Sequence, residues 1–403
     1  MAARTAFYRD PYPRYAEARA APGLTWLPEA AAWLVARDAD VREVLLRPAD
    51  FSSANSLLPD AALSGPALAV LAASGPPPGP TVVASDGAAH RRHRAPLNRG
   101  LAPTRVAAVL PYARARARAL VDGFAGDGSA DLVDAYARRL PGQVVGRLIG
   151  LDPQDVPAAV HGGYRAEEML FRPLSEEDQA AAAEDVIALQ RLLDGYVRDR
   201  RAHPRDDLCS ELVASLAPGT GELAPEQRRE LVASLQNLLI AGFLTTSALI
   251  ATTLAHLLAE PARWRALRED PGLIPAAVEE AARFDAPVQA FRRLTTREVT
   301  LAGTTLPAGA TVLVAYASAN RDGTRYPRPD AFDLHRPEDR RHLAYGHGPH
   351  GCPGSRLARE QLHLTLELLV AALPGLRLDP AHPAPEPLPT LIHRSPRSLH
   401  VLW

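Results

Sequence analysis

The stretch His342-Leu-Ala-Tyr345-Gly346-His347-Gly348-Pro349-His350-Gly351-Cys352-Pro353-Gly354 decides how this chain is read. A cysteine sits in a glycine-dense segment immediately before a helical pattern, Ser355-Arg-Leu-Ala-Arg-Glu360. Glycines let successive backbone N–H groups turn toward one point. A helix N-terminus adds positive potential there. Both favour thiolate over thiol, so the loop is built to hold a sulfur anion. The residues alone leave the use of that anion open.

The rest of the composition narrows the classes. The chain has 403 residues, 47% hydrophobic and 23% charged, which excludes a disordered or fibrous protein. A net charge of −1 gives no global attraction to nucleic acid or an anionic membrane. Two cysteines, Cys209 and Cys352, exclude a disulfide framework and make a reducing, cytoplasmic setting the expectation. The N-terminus shows no apolar signal region. No stretch is expected to reach the roughly 20 apolar residues of a membrane span; the most apolar run covers only 238–244. All 45 basic residues are arginine, so lysine chemistry of the Schiff-base or P-loop kind is excluded.

Most of the chain reads as helix. Ala-rich helical patterns cover 87–99, 103–125, 130–149, 154–170 and 176–202, and a Pro-started helix follows Asp10. Residues 226–258 form the longest periodic segment, roughly 50 Å at the α-helical rise. Further helices are expected at 275–284 and 354–373. A short strand at Trp33 precedes a helix at 41–46, and 299–315 reads as a hairpin. Residues 54–81 read as a long loop with one helical turn near Leu68, and 320–350 as coil. The absence of repeats and linkers predicts one large domain.

Cys352 has three readings: an inert buried thiol, a zinc site with His347 and His350, or a haem thiolate. Zinc would need a second close-spaced ligand pair, and none appears. The third reading gains from resemblance. Tyr345-Gly346-x-Gly348-x-His350-x-Cys352-x-Gly354 resembles the haem loop of cytochromes P450, with Tyr345 where the family begins with Phe. Glu280-x-x-Arg283, Ala241-Gly242-x-x-Thr245-Thr246 and Asp86-x-x-x-His90-x-x-x-Arg94 resemble three further family motifs in the same order. The resemblance spans nearly the whole chain. It implies a mainly α fold with small β-sheets, residues 1–403 as a single P450 domain, and a long central helix crossing over a haem b.

The same resemblance implies roles. Cys352 would be the axial metal ligand. His90, Arg94, Arg293 and His350 would neutralise the haem propionates. Tyr345, Gly346 and Gly354 would shape the cysteine loop, and Ala241 and Gly242 would allow close approach of the flat macrocycle. Thr245, with its neighbour Thr246, is the catalytic candidate. A mid-helix Thr can bond back to an upstream carbonyl and open a local bulge. Glu280, Arg283 and Arg336 would form a structural triad holding the cysteine loop. Two departures stand out. Leu244 occupies the position where the family usually has an acid, and Pro353 follows the cysteine where Leu or Ile is common.

By resemblance the substrate pocket includes the 54–81 loop, Phe171, Asn237, Ile240, Phe243, Leu244, Val288, Gln289, Phe291, Ile392 and His393. Most are apolar, which implies a largely apolar small molecule. Asn237, Gln289, His393 and Arg394 are candidates to orient a polar group. Electrons are expected from a separate ferredoxin and ferredoxin reductase, steered by basic residues such as Arg91, Arg92, Arg114, Arg116 and Arg118. The resulting expectation is a soluble monooxygenase of specialised metabolism. Nitric oxide reduction, peroxide-driven oxidation, nitration or oxidative coupling are alternatives that Leu244 keeps open. A catalytically silent auxiliary protein is a third, which Cys352 disfavours.

Overall fold

The computed structural model describes every residue except 1, 61, 77, 78, 80 and 338–341. The chain forms two compact units: one from Met1–Phe51, Leu110–Pro141 and Thr245–Trp403, the other from Ser52–Val109 and Gly142–Leu244. Pro225–Leu258 is a single 34-residue helix whose first part belongs to the second unit and whose last part belongs to the first.

The first unit carries the sheets. A five-stranded sheet contains Thr25–Leu27, Ala32–Val35, Thr311–Val314, Phe291–Thr295 and, at its edge, Phe51–Ser52. Thr311–Val314 lies parallel to Ala32–Val35, Trp33 opposite Val312, and antiparallel to Phe291–Thr295, Phe291 opposite Val314. The expected hairpin is therefore smaller than 299–315. Only Val299–Leu301 and Thr304–Leu306 pair with each other. Their turn residues, Ala302 (φ 50°) and Gly303 (φ 75°), are both left-handed, as a two-residue hairpin turn demands. Val35, Val312, Val314, Leu306 and Leu343 join one apolar cluster beneath these strands.

The helix expected over 130–149 is broken. Ser129–Asp131 is a strand paired with His400–Leu402, and Asp131 Oδ1 accepts from the amides of Val133 and Leu399. A π-helical turn, Val133–Ala137, follows, and a new helix runs Leu140–Ile149 with Pro141 in its first turn. The tie to a distant strand outweighs local helix propensity there. Pro261–Glu269 was not foreseen, because Trp264 and Leu267 alone make its buried face.

In the second unit, Glu176–Ala202 lies where expected. Ser175 caps it by accepting from Asp178 N at 3.0 Å, with Glu176, Glu177 and Asp178 in the first turn and Arg200 and Arg201 in the last. Leu208–Leu216, capped by Asp207, was not foreseen. The 54–81 segment holds more than one helical turn: Gly65–Ala73 is a nine-residue helix capped by Ser64. Residues 61, 77, 78 and 80 of that segment lie outside the described residues.

The long helix also corrects the expectation about membrane-spanning length. One 18-residue window of it is apolar enough to cross a bilayer by length and composition. That window is 72% buried inside the protein, which is how a core helix satisfies the same test.

Candidate functional site

Cys352 terminates a tight loop. Its amide donates to the Tyr345 carbonyl at 2.8 Å, Gly351 N to Gly348 O at 3.0 Å, and Gly346 N to Leu343 O at 2.9 Å. Gly346 and Gly348 have φ of 70° and 67°, a region L side chains rarely adopt. A Cβ on Gly348 would lie 2.7 Å from the Leu45 carbonyl oxygen, so backbone crowding also excludes a side chain there. The helix Ser355–Ala372 begins three residues after the cysteine, with Gly354 as its N-cap. The Cys352 side chain is exposed; Cys209 is fully buried, and that burial, reinforced by Asp207, pushes its thiol up to about 12.

Behind the loop lies a cluster that sequence reasoning missed. Arg359, on the helix that follows Cys352, forks onto Glu279 at 2.5 and 3.0 Å and stacks over the Tyr345 ring at 4.2 Å. His342 Nδ1 accepts from Ala344 N, which leaves Nε2–H to donate to Glu279 at 3.0 Å. Burial works against ionisation of Glu279, but His342 and Arg359 outweigh it and hold the carboxyl at about 2. Burial pushes the Tyr345 phenol upward. Glu279 adjoins the Glu-x-x-Arg motif and His342 opens the cysteine segment; that adjacency was the available signal.

The structure assembles the expected triad. Arg283 forks onto Glu280 at 2.7 and 2.8 Å, and Arg336 Nε reaches the same carboxylate at 3.0 Å. All three are largely buried. Arg283 also donates to the carbonyls of Asn320, Pro329 and Ala331. Asn320 Oδ1 in turn accepts from Leu343 N at 2.6 Å, which links the triad to the segment entering the cysteine loop. Arg293 is buried on Phe291–Thr295, and His350 lies half-buried in the short turn Gly348–His350.

The long helix is α-helical through Thr245, so the expected bulge does not open. In its middle Asn237, Ile240, Gly242 and Thr245 are half-buried and Ala241 is exposed, with Asn237, Ala241 and Thr245 at intervals of four residues on one face. Thr246 is buried. Gly242 serves packing within the second unit, since a Cβ there would meet Val145 Cγ2 at 2.5 Å. Phe243 is likewise a core residue: fully buried, it lies 4.8 Å from the Tyr164 ring and fills the space above Gly163. Leu244 joins the same apolar cluster as Leu97, Val145 and Ile149.

His90 and Arg94 lie one turn apart on Gly87–Gly100. Burial, then the charge of Arg94, pushes His90 below its ordinary pKa. Arg94 Nε donates to Asn98 Oδ1 at 2.7 Å. Asp86 accepts from Ser52 Oγ and from Ser53 N, anchoring the start of that helix.

Of the other pocket candidates, Phe171, Gln289 and Ile392 are buried, and Ile240, Val288, Phe291 and His393 are half-buried. Gln289 Nε2 donates to Ala286 O at 2.7 Å. Its buried Oε1 has no hydrogen-bond partner among the described residues. Arg394 is not available to orient a polar group, because it is paired with Asp285 at 2.8 Å. Of the basic residues proposed for steering, Arg92 pairs with Glu230 and Arg114 with Glu367. Among the described residues no group of three His, Cys, Asp or Glu side chains is placed to hold a metal ion, which leaves zinc without a site there.

The cytochrome P450 family model matches residues 164–379. The chain is 35% identical to vitamin D(3) 25-hydroxylase of Pseudonocardia autotrophica over 92% of this chain and 88% of that protein. It is also 35% identical to mycinamicin IV hydroxylase/epoxidase of Micromonospora griseorubida, over 92% and 89%. Among solved structures, cytochrome P450 CREJ in complex with (4-ethylphenyl) dihydrogen phosphate superposes with a TM-score of 0.90 at 28% identity, covering 98% of each chain. The exposed Cys352 thiol, on a glycine loop that ends at a helix N-terminus, has the chemistry of a haem ligand. The chain thus belongs to the cytochrome P450 family and is a haem b monooxygenase.

Proposed function

We propose that this P450 hydroxylates or epoxidises a largely apolar small molecule in specialised metabolism, with residues 1–403 acting as one domain. The observation that carries the reading is the exposed Cys352 thiol on its hydrogen-bonded glycine loop at a helix N-terminus. Cys352 is the metal ligand, and a thiolate-bound haem supplies the activation of oxygen. His90, Arg94, Arg293 and His350 hold the propionates. Tyr345, Gly346 and Gly354 keep the thiolate in place, and the Glu280–Arg283–Arg336 triad fixes the chain on which it sits. Thr245, half-buried on the long helix, holds a proton at its hydroxyl. The exposed Ala241, one turn before it, leaves room for a flat group.

The substrate meets Asn237, Ile240, Val288, Phe291 and His393. Electrons come from a ferredoxin and its reductase in the cytoplasm. The relatives named hydroxylase and epoxidase support the reaction class.

A second reading, oxidation driven by peroxide or another non-standard haem reaction, is favoured by one observation. Leu244 stands in an apolar cluster, with no acid at that position to supply protons.

The test is spectroscopic. The reduced carbonyl complex of the purified protein should show the Soret band of a thiolate-ligated haem. Cys352→Ala should abolish that band and Cys209→Ala should keep it. Loss of the band in Cys209→Ala alone would overturn the assignment.

A further inference from the structure

Asp285 is placed where a carboxylate is least favoured electrostatically. It follows the last residue of the helix Ile274–Phe284, at the negative end of that helix dipole, and it is 4% exposed. Four groups compensate for it. Tyr12 Oη–H donates to Oδ1 at 2.8 Å, His256 Nε2 lies 2.9 Å from Oδ2, and the Arg394 guanidinium lies 2.8 Å from Oδ1. Arg321, stacked 3.6 Å over the Tyr12 ring and 3.8 Å over Phe284, adds a second cation. Burial alone would raise the carboxyl pKa; Arg394, His256 and Arg321 outweigh it and keep Asp285 well below the usual carboxylate range. A buried charge held in this way is strongly directional, because any move of one partner leaves the other uncompensated.

Arg394 lies at the end of a short ladder between two chain segments. Gln289 N donates to Ile392 O at 2.7 Å, Arg394 N donates to Pro287 O at 2.8 Å, and Val288 pairs with His393 as an isolated antiparallel bridge. Two backbone rungs alone are a weak register. The Asp285–Arg394 pair closes one end of that ladder, and Arg394 Nη1 continues to the Arg9 carbonyl at 2.5 Å. Val288, Phe291 and His393 are the half-buried residues on these segments, and they remain accessible beside the fully buried Gln289 and Ile392.

We propose that Asp285 is a positioning residue for substrate recognition: through Arg394 it sets the separation of segments 288–291 and 391–393, and so the shape of an apolar substrate wall. This rests on the assignment of those segments to the substrate under the proposed function. The charge pair acts as a fixed spacer. Its loss lets the 391–393 segment shift on its two remaining rungs and blurs the wall without touching the haem ligand or its loop.

The holoenzyme is titrated with two probes read by the Soret shift, imidazole and 4-phenylimidazole. Imidazole reports access to the metal alone, and the phenyl group of the second also reports the wall. In the native protein both should shift the band; a native protein that responds to imidazole and not to 4-phenylimidazole would overturn the assignment of the wall itself. In Asp285→Asn and in Arg394→Gln the 4-phenylimidazole Kd should rise about tenfold, a typical coupling for contacting charged groups. The imidazole Kd should stay within about twofold of native. The double variant should be no weaker than either single one. Arg394→Gln leaves Asp285 with Tyr12 and His256, so it stays measurable if Asp285→Asn folds poorly. A merely structural role would lower the melting temperature and leave the ratio of the two Kd values unchanged, and that result would overturn the proposal.

Discussion

The amide of Cys352 donates to the carbonyl of Tyr345 at 2.8 Å, closing a loop across seven residues whose course depends on Gly346 and Gly348. The same loop is backed by Arg359 over the Tyr345 ring and by Asn320 on Leu343 N. The thiol is thus held by backbone geometry and a buried charged frame together.

Gly348→Ala should damage this loop. The residue has φ 67°, and its new Cβ would press on the Leu45 carbonyl at 2.7 Å. Strain of this kind costs about 1–3 kcal/mol. The denaturation midpoint should fall and haem retention with it. Gly354→Ala is the contrast, since its Cβ would meet only Cys352 Sγ, at 3.9 Å, and φ there is −90°. Equal stability of the two variants would refute the strain argument.

Leu244→Glu tests proton supply. If the missing acid limits turnover with ferredoxin electrons, the variant should yield more product per NAD(P)H consumed. The structure adds a cost: the new carboxyl would enter the cluster of Leu97, Val145 and Ile149, a penalty of roughly 2 kcal/mol or more. A lower melting temperature should therefore accompany better coupling. Full coupling in the native enzyme would sink the idea that the acid is limiting.

Pro353→Leu tests electron density at the sulfur. Proline offers no N–H beside Cys352, and the helix N-cap is Gly354, so Pro353 lies in the turn before the helix rather than within it. A restored amide that bonds the sulfur withdraws density and favours reduction. The ferric/ferrous potential should rise by on the order of tens of millivolts, given that about 59 mV is a tenfold change for one electron. An unchanged potential with haem fully bound would leave Pro353 with a turn-forming role alone.

Glu279→Gln tests the frame behind the loop through pH. The Glu279 carboxyl is held at about 2 against an ordinary 4.5. A depressed carboxylate contributes its full stability above the unfolded value and loses it as pH falls through the folded one. The native protein should exceed the variant by roughly 2–3 kcal/mol above about pH 5. That margin should shrink steadily between about pH 4.5 and about pH 2. A margin independent of pH across this range would show that Glu279 acts by packing alone.

Local pattern was enough for the long helices, for the Cys352 loop and for the Glu280–Arg283 pair, because each depends on neighbours within a few residues: a capping Ser175, glycines at positive φ, an i,i+3 spacing. The family could be read from the order of four such motifs. Tertiary structure alone decided the rest. Thr311–Val314 left its expected hairpin because two strands, one over 270 residues earlier in the chain, offered better partners. Phe243 and Gly242, which resemblance placed at the haem and substrate, turned out to be packed against Tyr164 and Val145, contacts that no spacing in the chain encodes. Asp285 drew Tyr12, His256 and Arg394 from three remote segments, since a buried charge must find its partners wherever the fold brings them.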